Sequence, residues 1–312
     1  MQGASGEYRP WLSRALAGGF TALQLGQLFL LPAWLLPRDP AWGWLLLVPV
    51  LLTNGWWAFI HEAIHGTLFP DRMANRRLGR LQGILYGAAF DLLRWGHLLH
   101  HAYNRTERDR SEVYPDGKES GSLFTLNYYA RQLGGLYVFE VLWSLLLLAP
   151  RRLLLWLSTR LAGPANPIGP LADKLLARDA LMAVRKDALL ILALHGLALY
   201  LYGPHAWMLL AALAGRALLI SLMDNVFHYG TGLEDRRFAR NLALPSWQSL
   251  LILHFNLHGT HHRHPTLAWW ALPAVHLAEG GGYQGRMATA TRDQLRGPIP
   301  ATRLTGSKAA SI

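Results

Sequence analysis

The sequence predicts an all-α integral membrane protein, with four transmembrane helices paired as two hairpins and a helical cap on the cytoplasmic side. Three observations carry that expectation. Apolar residues make up 52% of the 312 and charged residues only 16%, with 13 Trp, a composition suited to lipid and its interfaces. Hydropathy is the second: 15–36 and 41–60 run without a charge, and 188–223 carries only Arg216. The third is where the cations stand, which also fixes the orientation.

Spans are expected at about 15–36, 41–60, 188–202 and 206–223. The first two are each about 30 Å long as helices, enough for a bilayer core, and the polar break at 38–40 joins them as a hairpin. Gly203-Pro204 marks the turn of the second hairpin, whose spans are shorter and must borrow a turn from their flanks. The first apolar run is too long for a signal-peptide core and lacks a cleavage-like end, so it is expected to be retained. The run 141–156 is expected to lie along the headgroups, because Glu140, Arg151 and Arg152 bracket too few uncharged residues for a crossing. The stretch 81–93 is expected to be interfacial or re-entrant. Residues 1–312 read as one domain, with a weakly ordered tail from about 280.

Net charge is +11, yet the cations sit where topology wants them. Arg72, Arg76, Arg77 and Arg80 follow the first hairpin; Arg178, Arg185 and Lys186 precede the second; Arg236, Arg237 and Arg240 follow it. The hairpin turns carry Arg38 alone. This is the positive-inside pattern, with every long segment cytoplasmic, as in a bacterial inner membrane, and nucleic acid is not needed to explain the charge. The absence of cysteine excludes disulfides, haem thiolate, iron–sulfur clusters and zinc thiolates.

The histidines are grouped. His61 and His65 stand in HEAIH, His97, His100 and His101 in HLLHH, and His258, His261 and His262 in HGTHH. Spacings of three and four put such residues on one helix face, aimed at a common point. Neutral imidazole binds zinc, copper, iron or nickel, and so many ligands exceed what one ion accepts. Two ions would use the set, with His228 in DNVFHYG as a ninth ligand. His254 could join the same face; His195, His205, His264 and His276 read as structural or solvated. An even number of crossings separates the groups, so they meet on one side of the membrane. Two irons with open positions there can bind and split O2 and remove hydrogen from an unactivated C–H bond. Lipid chains offer such bonds, reached through a tunnel shaped by the spans.

The three motifs, in this order and with spans between the second and third, resemble the histidine boxes of the membrane fatty acid desaturase and hydroxylase superfamily over roughly 54–273. The resemblance implies a non-haem di-iron oxidase in which His61, His65, His97, His100, His101, His258, His261 and His262 bind metal. His228 matches an extra histidine found after the last span in some members. Asp224 occupies a position where the family can hold a water near the metal, although an acid stands here in place of an amide. Asn104, Thr106, Glu107, Asp109 and Glu112 follow the second box as polar residues do in many members. Asp109 is the choice for orienting a ligand imidazole through its outer nitrogen.

Acyl-chain desaturation is the favoured reaction. HEAIHG and DNVFHYG also resemble alkane hydroxylases and carotenoid ketolases, so hydroxylation, ketolation and acetylenic-bond formation stay open. No fused electron carrier is visible, which implies an external donor of ferredoxin, rubredoxin or cytochrome b5 type. Trp56 and Trp57 could wall the tunnel or anchor the interface. HEAIH also matches the zinc protease signature, with Glu62 as general base. Metal transport is a third reading, disfavoured by spans with few polar residues.

Overall fold

The computed structural model describes residues 8–115 and 121–305. The fold is mostly helical: its strands are two residue pairs, β1 (Val113–Tyr114) and β2 (Ile299–Pro300), joined in parallel. The helices are α1 (Pro10–Leu35), α2 (Pro40–Leu51), α3 (Thr53–His65), α4 (Arg72–Tyr86), α5 (Phe90–Tyr103), α6 (Ser122–Ala130), α7 (Leu136–Leu146), α8 (Arg151–Leu161), α9 (Ile168–Leu175), α10 (Arg178–Tyr202), α11 (Ala206–Val226), α12 (Ser246–Leu251), α13 (His258–Arg263), α14 (Leu272–Ala278) and α15 (Met287–Gln294).

By length and composition, the described residues hold two helices able to cross a membrane, α1 and the continuous run Arg178–Val226. The pair α2 and α3, bent by 42°, makes a third if it counts as one span. The sequence predicts four spans, and the difference lies in the last run. Gly203 leaves helical geometry there (φ 49°, ψ −121°), a conformation glycine adopts without strain. The run doubles back at this point, because His195 lies against Gly87 while Arg216 reaches the carbonyl of Tyr86. On one straight helix those two side chains would be about 31 Å apart.

Arg216 is 1% exposed. Its guanidinium stacks within 4.9, 5.1 and 5.5 Å of the Trp56, Tyr86 and Tyr137 rings and donates to Tyr86 O at 3.1 Å. A cation inside an apolar helix is thus held by π faces and one backbone acceptor.

Local sequence explains where α3 ends and α4 begins. Helix α3 stops at His65, and the next residue, Gly66, takes a left-handed φ of 76°. Asp71 caps α4, accepting from the amides of Met73 and Ala74. The run expected to lie along the headgroups is two helices, α7 and α8, separated by a turn before Pro150, with Val138, Leu142, Leu153 and Trp156 exposed. The stretch 81–93 is not a continuous apolar helix: α4 ends at Gly87 (φ 101°) and α5 starts afresh at Phe90.

The tail departs from expectation. From 280 to 305 it is folded and packed: Gln294 is fully buried, Tyr128 donates to Gln294 O at 2.6 Å, and Ile299 pairs with Val113. Ala290, Ala301 and Leu304 are buried there, while Tyr283 and Leu295 stay exposed. Composition gave no sign of this, because the contacts are made to distant elements.

Candidate metal centre

Four segments converge on one buried volume. Helix α3 brings His61 and His65 from one face, α5 brings His97, His100 and His101, the turn after α11 brings His228, and α13 brings the last three. Helix α13 has only six residues and is held from outside. The Asn241 side chain accepts from the Thr260 amide at 2.9 Å, and Gly259 sits so close to Ala239 O that a Cβ would lie 2.6 Å from it. Gly55 plays the same part on α3, where a Cβ would meet Leu251 O at 2.1 Å. Two glycines therefore set how closely the first and third boxes approach.

The histidines separate into two groups. His61, His65, His97, His101 and His261 form one; His100, His228, His258 and His262 form the other; within each, one nitrogen per ring lies within 4.8 Å of all the rest. In the first group the Nε2 atoms of His65 and His97 are 2.8 Å apart, those of His97 and His101 3.0 Å, and those of His61 and His261 3.1 Å. In the second the spacings are 3.3 Å for His100–His262, 3.1 Å for His258–His262 and 3.2 Å for His228–His258. Nitrogens about 2.1 Å from one ion and at right angles around it stand about 3.0 Å apart. The donor set fits a metal ion in each group, since every ring turns the same nitrogen inward.

Electrostatics agrees. Burial first, and neighbouring imidazoles second, push His97, His258 and His261 well below the usual histidine range and His101 down to about 2. These rings are neutral, with lone pairs facing each other and calling for a cation between them. His100 moves the other way. Burial would lower it, but the Asp109 carboxylate outweighs burial: His100 Nδ1 donates to Asp109 Oδ2 at 2.5 Å. His228 Nδ1 faces Phe238 O at 3.3 Å. The Nδ1 atoms of His258 and His261 are buried without a partner among the described residues.

All nine histidines expected at the site are in these two groups. Of the polar residues after the second box, Asp109 meets a histidine, Glu112 is buried in a 2.7 Å pair with Arg105, Glu107 faces solvent beside Arg110, and Thr106 turns back to Tyr103 O. Asn104 donates to Arg236 O and Phe238 O, tying the chain after α5 to the chain after α11, and its Nδ2 also lies 3.5 Å from Nδ1 of His262. Asp224 accepts from Arg131 at 3.1 Å rather than bonding a histidine. His254 lies outside both groups: its backbone is left-handed (φ 55°) and Ser249 Oγ holds its Nδ1 at 2.8 Å. Glu62 Oε2 accepts from Thr67 Oγ1 and the Trp269 amide, at 2.6 and 3.0 Å, and its Oε1 stands 3.7 Å from His61 Nδ1.

A cavity of about 210 Å³ reaches His97 of one group and His100 of the other. Its walls come mainly from α5, α7 and the chain into α9, with Trp57 of α3 and Asp224 of α11 contributed by helices of the two expected hairpins. Trp57 lines it, whereas Trp56 is buried away from it and donates to Gln82 at 2.7 Å. Arg131 and Glu140 also line it, and sequence reasoning did not select them. The available signal was a lone acid, Glu140, at the head of an apolar run.

The fatty acid desaturase family model matches residues 40–289. The chain belongs to the fatty acid desaturase family. No curated protein and no solved structure matches it. Family membership makes it an oxidoreductase of desaturase type, associated with membranes and acting on lipid, and its histidine groups are able to hold metal.

Proposed function

We propose that the protein is an O2-dependent di-iron oxidase of lipid hydrocarbon chains, most simply a fatty acyl desaturase. The observation that carries this reading is the division of nine inward-facing imidazoles into two groups with spacings near 3 Å. His61, His65, His97, His101 and His261 would hold one iron, and His100, His228, His258 and His262 the other. Bound there, the irons would supply activation of O2 and hydrogen abstraction from an unactivated C–H bond. Desaturation removes two hydrogens from the substrate and, with two electrons and two protons from outside, reduces O2 to two waters.

The chain's own residues have separate tasks. Asp109 holds His100 in the tautomer whose Nε2 lone pair faces the second group. Trp57, Leu93 and Phe139 give the bound chain an apolar wall beside His97 and His100. Electrons come from a separate donor of ferredoxin, rubredoxin or cytochrome b5 type. The reversal at Gly203 supports splitting the last apolar run into two spans, and the positive-inside distribution of cations is the ground for setting both turns outside and the centre on the cytoplasmic side. Hydroxylation, ketolation and acetylenic-bond formation share the same first abstraction and the same site. The protease reading is disfavoured because His61 and His65 share their group with three further histidines.

The test is metal content of the detergent-purified protein together with lipid analysis of expressing cells. Two irons per chain with new unsaturation or oxygenation are expected. One zinc per chain and unaltered lipids would overturn the reading.

A further inference from the structure

The cavity beside the histidines has two unlike ends. On one side it shares Leu92, Phe139 and Leu171 with an apolar cleft of about 40 Å³ between α7, α8 and α9. On the other it shares His100, Asp109, Arg131 and Asp224 with a small polar recess of about 20 Å³. A chain desaturated in its middle needs apolar walls on both sides of the reacting carbons. This cavity provides them on one side only.

The polar end is built by a break in a helix. Between α6 and α7 the backbone leaves helical geometry at Leu133 and at Gly134 (φ 117°), where the chain presses against Ala217 of α11. The break sets Arg131 and Glu140 on the same cavity, although α6 and α7 run on either side of it. Arg131 gives one donor to Asp224, while its Nε is buried without a partner among the described residues. Glu140 Oε2 is buried and unpartnered in the same way. A buried donor and a buried acceptor thus stand unclaimed on two residues that line one cavity, and buried polar groups are rarely left so.

We infer that the substrate carries a neutral hydrogen-bonding group, a hydroxyl or a carbonyl, which Glu140 and Arg131 bind beside His100, so that oxidation falls close to that group rather than in mid-chain. Charge argues for neutrality: Arg108 and Arg131 line the cavity together with Asp109 and Asp224, and Arg131 pairs with Asp224 at 3.1 Å. Burial, and Asp224 after it, push the Glu140 carboxyl up to about 8, so near neutral pH it offers a proton as well as a lone pair. The apolar remainder of the ligand lies toward α8 and α9. The inference rests on the oxidase reading for the chemistry, but binding tests it without turnover.

The experiment is equilibrium partition of radiolabelled 1-decanol, decanoate and decane onto the detergent-purified enzyme, kept anaerobic and corrected for micelles alone. Decanol is expected to bind at least about tenfold more tightly than decane and more tightly than decanoate. Glu140→Leu should remove the preference for decanol and leave decane unchanged, and Glu140→Gln should keep most of it. Equal binding of decanol and decane overturns the inference, as an apolar site or a water-filled recess would give. Tightest binding of decanoate overturns it as a charged site. Should Glu140→Leu fail to fold, the three ligands on the unaltered enzyme still decide. Iron counted on the same preparation separates the two readings: two irons without a decanol preference sink this inference alone, and missing iron sinks the oxidase.

Discussion

The two histidine groups are secured differently. The five-histidine group draws pairs from α3 and α5 and one ring from α13, and its geometry is set by number and helix packing. The four-histidine group takes single rings from α5 and from the turn after α11, and three of its outer nitrogens have partners outside the group, His100 in Asp109, His228 in Phe238 O and His262 in Asn104. It also lies beside the polar recess. Redundancy therefore protects the first group, and hydrogen bonding positions the second. The second has the fewer ligands and more room for a further one.

That contrast is broken most forcefully by removing one ligand from each group. His258→Ala should take metal content from two to about one ion per chain and abolish activity, whereas His65→Ala leaves four ligands and should keep nearly two ions. Metal counted on both variants checks this, and equal loss would mean that the fifth imidazole is not redundant. Asp109→Asn comes next. It frees His100 to rotate and change tautomer, and should cost about 10- to 100-fold in metal affinity or activity, seen as metal lost to a chelator at equal protein. Glu62→Gln, beside the first group, should change metal content by less than about threefold, because its carboxylate serves Thr67 and the Trp269 amide. Complete loss of metal or activity there would restore a direct role for the acid.

Glu140→Gln gives the smallest effect. The folded carboxyl is raised to about 8, above its unfolded value, so its stabilising contribution is complete below about pH 4.5 and is lost as pH rises through 8. The variant should melt with the parent at pH 5 and about 2–5 °C above it at pH 9. Parallel melting curves across that range would remove the burial argument for Glu140.

The histidine groups were legible in the sequence because helix periodicity converts a spacing of three or four into a shared face. His228 stands alone in its segment and was legible from its place shortly before the third box, with the family resemblance as added support. Asp109 could be picked from a run of acids, but Glu112, equally polar in sequence, is spent on Arg105. The assignment of histidines to two ions was not legible: neighbours His100 and His101 point to different groups, a consequence of the 100° between successive residues of a helix. Arg131 and Glu140 were hidden because a left-handed glycine brings them together, and no periodicity crosses such a break. The ordered tail was hidden for the related reason that its partners, Tyr128 and Val113, lie far away in the chain.

Arg216 has a consequence for how the molecule is made. An arginine at the centre of an inserting helix costs about 2.5–3.5 kcal/mol, and its partners, the Tyr86 carbonyl and the rings of Trp56, Tyr86 and Tyr137, all belong to earlier segments. Those segments precede Arg216 in the chain, so the partners its charge needs are synthesised before it. An N-terminal half folded ahead of α11 would offer this helix its binding place, and α11 leads directly to His228.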